Sequence, residues 1–216
     1  MKLSLTGIGA EVQDILCGYI KAESITNSPG EREAETYFLN CFRSQPYWQA
    51  HPDYLGRQPI SGDPHGRAAA FAMVRGGGED TVVFVHHNDV VTVEDFKLLR
   101  PLAFSPEELE RELKKLRHTL PPEPRSDLVS GAWLFGRGVC DMKGGGAVQM
   151  ALLSRYAQLV QEDPDSLPGT LIVLAVPDEE NLSAGMGPAA PLLRQLKARY
   201  GLRYRLMINS EPHQRR

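Results

Sequence analysis

A glycine-rich turn around one carboxylate constrains the fold of this 216-residue chain more than any other stretch. In Gly136-Arg137-Gly138-Val139-Cys140-Asp141-Met142-Lys143-Gly144-Gly145-Gly146, Asp141 stands between two glycine clusters, and a long apolar run follows. Glycine lets the backbone turn sharply and approach a ligand closely. A helix that starts near Gly144 would direct its free N–H groups and its positive dipole end toward whatever Asp141 binds. The stretch predicts a strand-to-helix turn carrying a functional carboxylate, with a plain connection as the alternative.

Apolar runs of strand length alternate with helical patterns along the chain. Thr81-Val82-Val83-Phe84-Val85 is almost continuously apolar, as in a central strand that is buried on both faces of a sheet. Such alternation is typical of an α/β fold, here a three-layer α/β/α domain with a mixed, largely parallel sheet. We expect strands at 67–75, 81–87, 170–176 and 203–208, and helices at 8–23, from residue 29 onward, at 144–161 and at 188–200.

Three further stretches shape the expected domain, which spans residues 1–216. Residues 46–66 are rich in Pro, Gly and His and indicate a loop. Residues 92–130 indicate a charged helical insertion that lies over the sheet edge. In Ser28-Pro29-Gly30-Glu31, Ser28 is the expected N-cap of a helix, and Glu31 is expected to reach back and complete a capping box.

Composition excludes several classes of function. The net charge is −3, and no Lys/Arg cluster indicates binding to nucleic acid or to a membrane surface. No apolar run approaches membrane-spanning length, and the first residues lack a signal-peptide core. Cys17, Cys41 and Cys140 are widely spaced without a CxxC motif, which indicates reduced thiols in a cytoplasmic protein. We expect Cys140 to be a small buried residue.

Polar residues follow several of the predicted strands, where open α/β sheets bind their ligands. His87 and Asp89 are two positions apart on a strand and point to the same side, so the imidazole can bind a metal while the carboxylate orients it. Glu179 and Glu180 are adjacent and point in different directions, so one can bind metal while the other takes a proton from water. Chance occurrence of His-x-Asp and solvated surface acids are the alternatives.

The ordered motifs resemble a known family. His-x-Asp-Val-Val, Gly-Arg-Gly-x-x-Asp-Met-Lys-Gly-Gly, Asp-Glu-Glu and a final Glu-Pro, between Ser24 and Pro212, are similar to the motifs of the M20 zinc metallopeptidases. The resemblance implies hydrolysis of an amide or peptide bond, in a small peptide or an N-acyl amino acid, by zinc-activated water. It implies two Zn²⁺ ions, for which Co²⁺ or Mn²⁺ could substitute, and a cis peptide after the bridging aspartate. The implied roles are His87 and Glu211 on one zinc, Asp141 bridging, Glu180 on the second zinc, Glu179 as general base and Asp89 as the orienting partner.

Two features depart from the usual pattern of that family. The gap between Asp89 and Asp141 is long, and the segments 93–96 and 103–109 within it resemble the RocB branch of arginine-utilisation proteins. The resemblance also implies a lid or dimerisation domain and one more zinc-binding histidine, and we expect His213 to be tail and not that ligand. The leading hypothesis is therefore an incomplete catalytic domain of a metal-dependent amide hydrolase that can form homo-oligomers. The alternatives are a catalytically silent binding or scaffold fragment and a metal-free α/β binding protein.

Overall fold

One mixed sheet of five strands organises the chain, in the order β1-β2-β4-β3-β5. The structure is a computed structural model that describes residues 3–212; His213 lies outside the described residues. The strands are β1 (Leu55–Pro59), β2 (Ala68–Arg75), β3 (Asp80–His87), β4 (Thr170–Val176) and β5 (Arg203–Asn209).

Helices cover both faces of the sheet. The α-helices are α1 (Ile8–Ile20), α2 (Gly30–Arg43), α3 (Pro46–Ala50), α4 (Pro106–Lys115), α5 (Pro122–Ser130), α6 (Lys143–Glu162) and α7 (Met186–Tyr200). Short 3-10 segments lie at Pro52–Tyr54, Glu94–Leu102, Arg117–Thr119 and Pro164–Ser166. No helix within residues 3–212 has the length and apolar character needed to cross a membrane.

Two apolar cores on opposite faces of the sheet confirm the three-layer α/β/α prediction. Successive residues of a strand point to opposite faces, so each central strand contributes to both cores. Val173 and Ala175 of β4 pack with α1, α2 and α6, whereas Ile172 and Leu174 pack with α7. These β4 residues are fully buried, as the continuous apolar run predicted.

The sheet is mixed, and its parallel part is confined to three strands. β4 and β5 both pair in parallel with β3, whereas β2 runs antiparallel to both of its neighbours, β1 and β4. Two of the four pairings are therefore parallel, a smaller share than the sequence indicated, because β2 runs opposite to the other four strands. The carboxyl ends of β3, β4 and β5 meet at one edge of the sheet.

Two local expectations were wrong. Residues 46–66 contain α3 and the edge strand β1, whose five residues pair with β2 from Leu55↔Ala72 to Pro59↔Ala68. An edge strand that ends in proline carries little of the apolar alternation on which strand prediction rests. Ser28 and Glu31 also form no capping box at α2, because the carboxylate of Glu31 accepts hydrogen bonds from Asn27 N, Arg67 and Asp178 N instead.

The stretch expected to be a helical insertion is helical. It contains the 3-10 segment Glu94–Leu102, α4 and α5. The prolines at 121–122 begin α5, which the sequence did not indicate as a second helix. Pro106 and Pro122 lie in the first turns of α4 and α5, the position that proline prefers, whereas Pro101 lies one residue before the end of the 3-10 segment.

Candidate metal centre

Three side chains with metal-binding atoms meet at the shared edge of the parallel strands. His87 Nε2 lies 3.0 Å from Asp141 Oδ1 and 3.7 Å from Glu211 Oε1. One ligand atom from each of the three residues lies within 4.8 Å of the others. One imidazole and two carboxylates form a donor set that suits Zn²⁺ and similar divalent ions. The described residues therefore fit a metal ion at this position.

Parallel pairing explains why residues far apart in the sequence converge here. His87 ends β3 and lies in register with Val176, the last residue of β4. Val85 of β3 pairs with Asn209, the last residue of β5, two residues before Glu211. His87, the Asp178-Glu179-Glu180 turn and Glu211 therefore leave the sheet side by side.

The glycines that precede α6 allow close packing within the protein. A Cβ atom on Gly145 would lie 2.7 Å from Ser210 Cβ, and one on Gly146 would lie 2.6 Å from the ring of His86. The N-terminal turn of α6 can therefore rest directly on the ends of β3 and β5. We expected these glycines to approach a ligand, but the close neighbours are the strands that carry the candidate metal ligands.

The motif residues around Asp141 follow the resemblance in one respect and depart from expectation in another. The Asp141–Met142 peptide bond is cis, as the resemblance implied. Cys140 is exposed and not the small buried residue that we expected.

Lys143 is fully buried, and its Nζ donates hydrogen bonds to the carbonyl oxygens of Tyr19 and Ala22. Burial lowers the pKa of Lys143 to about 7.

Asp89, two residues after His87 in the chain, fixes the orientation of the His87 imidazole. His87 Nδ1 lies 2.9 Å from the backbone oxygen of Asp89 and 3.4 Å from its carboxylate. A carbonyl oxygen only accepts hydrogen bonds, so Nδ1 of a neutral His87 must carry the proton. The lone pair is then on Nε2, the atom that faces Asp141 and Glu211.

The carboxylate of Asp89 mainly holds the turn that carries the acidic pair. Asp89 is fully buried, and its Oδ1 accepts from Glu179 N at 3.0 Å. Its Oδ2 accepts from Glu180 N at 3.1 Å and from the hydroxyl of Thr26 at 2.9 Å. Asp89 therefore links β3 to the Glu179-Glu180 turn and to the loop before α2.

Glu179 and Glu180 take different positions relative to this centre. Glu179 Oε2 lies 3.8 Å from His87 Nε2, at the same nitrogen that faces the ligand group. Glu180 is not a member of the three-residue group, although its charge interacts with that of Asp141. The described residues thus bring His87, Asp141, Glu211 and Glu179 together and leave Glu180 beside them.

The ionisable groups respond to crowded negative charge. Burial acts to lower the pKa of His87, but the hydrogen bond that His87 donates to the Asp89 carboxylate and the charges of Asp89, Glu211 and Glu179 outweigh it and raise the pKa to about 9. Burial and a hydrogen bond with Asp141 raise the pKa of Glu211. Burial and the charge of Asp141 raise the pKa of Glu180. Excess negative charge around one imidazole is the electrostatic setting in which a divalent cation is stabilised.

The sequence interpretation missed a buried ionic cluster behind the acidic pair. Arg67, which directly precedes β2, donates from Nη1 to Glu31 Oε1 at 2.7 Å and to Asp178 Oδ1 at 2.9 Å. Glu31, Arg67 and Asp178 are all at most 5% exposed. An arginine at the start of the apolar run Ala68-Ala69-Ala70-Phe71 was the available signal, since a charge next to a fully buried strand needs a partner.

Comparison with known proteins agrees with this arrangement. The profile of "Peptidase family M20/M25/M40" matches residues 117–215. The chain is 34% identical over 203 residues to the uncharacterized protein YqjN of Bacillus subtilis (strain 168), and 32% identical over 212 residues to protein RocB of the same organism. These alignments cover 94% and 97% of this chain. The chain belongs to the M20 peptidase family.

The M20 fold extends to solved structures. The M20 family metallo-carboxypeptidase Sso-CP2 from Sulfolobus solfataricus superposes with a TM-score of 0.58 at 15% identity, over 92% of this chain and 37% of that protein. That likeness concerns the fold alone. The chain spans about 36% of the length of YqjN and of RocB. The recognition of an M20 peptidase related to RocB is thus confirmed.

Proposed function

We propose that this M20 chain supplies metal-binding residues and a general base to a hydrolase that cleaves the amide or peptide bond of a small peptide or an N-acyl amino acid. The observation that carries the proposal is the convergence of His87, Asp141 and Glu211, with ligand atoms within 4.8 Å of one another. That convergence makes isolated surface charge a poor account of these residues. It also disfavours a silent scaffold, which needs no such group.

The candidate ligands would hold the ion, and a neighbouring carboxylate would move the proton. His87, Asp141 and Glu211 would hold one divalent ion, which we propose to be Zn²⁺, and Asp141 with Glu180 would contribute to a second. A bound ion of this kind lowers the pKa of water and polarises a carbonyl group. Glu179, with Oε2 at 3.8 Å from His87 Nε2, would accept a proton from water and deliver it to the leaving amine.

The imidazole of this group is buried and the carboxylates are partly exposed, and this difference suits their roles. The imidazole of His87 is buried and held in one tautomer by Asp89, so its lone pair is preorganised. The side chains of Asp141, Glu179 and Glu211 are 53%, 45% and 39% exposed, so a substrate can reach them. Preorganised donors at an open face are what binding and turnover of a small molecule require.

We extend the proposal to the setting of the activity. The similarity to RocB supports a role in arginine utilisation, and the reduced thiols support a cytoplasmic location. A homo-oligomer is proposed on the dimerisation domain that the family resemblance implies, and the absence of nucleic-acid and membrane partners is proposed on composition.

Glu179→Gln in the full-length protein tests the function. The variant should keep its fold and its metal content but lose turnover, because an amide cannot accept the proton. Hydrolysis would be measured on a panel of N-acyl amino acids and dipeptides, at equal metal content determined by elemental analysis. Glu162→Gln, at the exposed far end of α6, is the matched control and should behave as the wild type. Wild-type rates in Glu179→Gln would contradict the role, and no hydrolysis of any substrate by the wild type would contradict the function.

A further inference from the structure

The turn that carries the acidic pair is attached to the protein at two separate points. Asp89 holds the backbone N–H groups of Glu179 and Glu180. One residue earlier, Asp178 has a φ of 67°, in the left-handed region that is uncommon for residues other than glycine. A second set of contacts must therefore stabilise Asp178 in this conformation.

Asp178 is held through its amide, its carboxylate and its carbonyl. Its N–H donates to Glu31 Oε2 at 2.7 Å, and its Oδ1 accepts from Arg67 at 2.9 Å. Its Oδ2 accepts from Ala184 N at 3.2 Å, and its backbone oxygen accepts from Ser183 N at 2.6 Å. Asp178 thus closes the turn from 178 to 184 and joins that turn to the buried cluster.

Arg67 makes this attachment by using both sides of its guanidinium group. Nη1 bridges Glu31 and Asp178, while Nε and Nη2 both donate to Asp63 Oδ1 at 2.8 and 2.7 Å. A lysine ammonium is a single nitrogen and cannot hold these two groups of acceptors at once. The charge alone would therefore not replace the arginine.

We propose that Arg67 is a positioning residue for Glu179, acting through Asp178 and with Glu31 as its partner. The inference rests on the proposed function, in which Glu179 is the general base. Arg67 fixes where the turn leaves β4, and Asp89 fixes its next two amides, so the Glu179 carboxylate is held near His87 from both sides. Loss of either attachment would displace the base without removing a member of the His87-Asp141-Glu211 group.

Arg67→Lys in the full-length protein tests the proposal by kinetics. We expect kcat to fall by about 100-fold, the size of loss that a misplacement of about 1 Å at a reacting group can cause. KM and the metal held by the His87-Asp141-Glu211 group should change little, since none of these three residues lies on the 178–184 turn. Asp178→Asn should reproduce the effect, and it serves the same test if Arg67→Lys does not fold. An unchanged kcat in folded, metal-loaded protein would overturn the proposal.

A double-variant cycle separates positioning from simple stability. In the Glu179→Gln background, Arg67→Lys should cause no further loss of kcat, because the base through which it acts is already absent. An equal loss in both backgrounds would overturn the proposal. Arg57→Lys is the matched control: Arg57 forms a part-buried pair with Glu35 of α2 and has no hydrogen bond to the 178–184 turn. It should lower stability without lowering kcat in folded protein.

Hydrogen exchange tests the same attachment without any activity. Arg67→Lys should speed exchange in residues 178–184 and leave β4 protected, whereas Arg57→Lys should leave the turn unchanged. Unchanged exchange of the turn in Arg67→Lys would overturn the positioning role. If the wild type hydrolyses nothing, the proposed function fails while this measurement still decides whether Arg67 holds the turn.

Discussion

Replacement of Asp89 by asparagine should destabilise the metal-free protein, although the two side chains have the same shape. The carboxylate is fully buried and accepts from Glu179 N, Glu180 N and the hydroxyl of Thr26. Asparagine retains one oxygen, so its NH₂ group must face at least one of these donors. The less costly orientation retains the Thr26 and Glu180 bonds at Oδ2 and loses the Glu179 bond at Oδ1.

The magnitude follows from the number and charge of these bonds. One donor left unsatisfied costs about 1–3 kcal/mol, and two bonds that change from a charged to a neutral acceptor each lose on the order of 0.5–1 kcal/mol. We therefore expect a loss of about 3 kcal/mol in the free energy of unfolding. In urea, with a slope of about 2–3 kcal/mol per M, the midpoint should fall by about 1–1.5 M.

Urea denaturation with a chelator present measures this loss without a contribution from metal. Asp14→Asn, exposed on α1, makes the same charge change and should stay within about 0.5 kcal/mol of the wild type. An Asp89→Asn midpoint equal to that of the Asp14 control would refute the reasoning.

The pH dependence gives a second check on the same residue. Burial acts to raise the pKa of Asp89, but the hydrogen bonds from His87 and from the Glu179 amide outweigh it and hold the pKa below 3.8. A group whose pKa is depressed by folding stabilises the protein above its unfolded pKa, and that contribution is lost as the pH falls through the folded pKa. The difference between wild type and Asp89→Asn should therefore narrow below about pH 4. It should also narrow as the pH rises toward 9, because Asp89 acts against burial to raise the pKa of His87 to about 9, and the stabilisation from that imidazolium is lost as the pH rises through this value.

Three further predictions concern the metal itself. Asp141→Ala should remove all bound zinc and His87→Ala only part of it, as judged by elemental analysis, and equal losses would contradict the bridging role. Calorimetric titration of this chain alone should show one ion bound more tightly than any second, because one three-ligand group forms within residues 3–212, and two equally tight sites would contradict this. Gly145→Ala should weaken metal binding in the same titration by displacing Ser210 and Glu211, whereas Gly9→Ala, which meets open space, should not.

The sequence predicted those parts of the fold that local pattern determines. Thr170–Val176 was predicted with its observed bounds because it is an uninterrupted apolar run. β1 was missed because its residues are only partly buried and its strand conformation depends on pairing with β2. The insertion was recognised as helical, but α5 was not indicated as a second helix, although Pro122 in its first turn is a local signal for a helix start.

The candidate site was predictable where chemistry is concentrated in short motifs. His87, Asp141 and Glu211 follow from strand ends and from the family resemblance. Arg67 could not be assigned a role in this way, because its partners Glu31 and Asp178 are 36 and 111 residues away in the sequence. Charged residues with distant partners look like solvated charge until the fold shows that they are buried.

Asp89 shows how the structure changes the meaning of a predicted residue. The sequence indicated that its carboxylate orients the imidazole, but the backbone oxygen of Asp89 is the nearer acceptor, at 2.9 Å against 3.4 Å from His87 Nδ1. Asp89→Asn retains that backbone oxygen, so the tautomer of His87 should persist. We therefore expect zinc affinity at the His87 site to fall less than tenfold, while stability and turnover fall because the Glu179-Glu180 turn is released. Zinc titration without urea, at a temperature where the variant is fully folded, measures this affinity. His87→Ala is the reference for loss of the ligand. An affinity as low as that of His87→Ala would show that the carboxylate, and not the backbone, orients the imidazole.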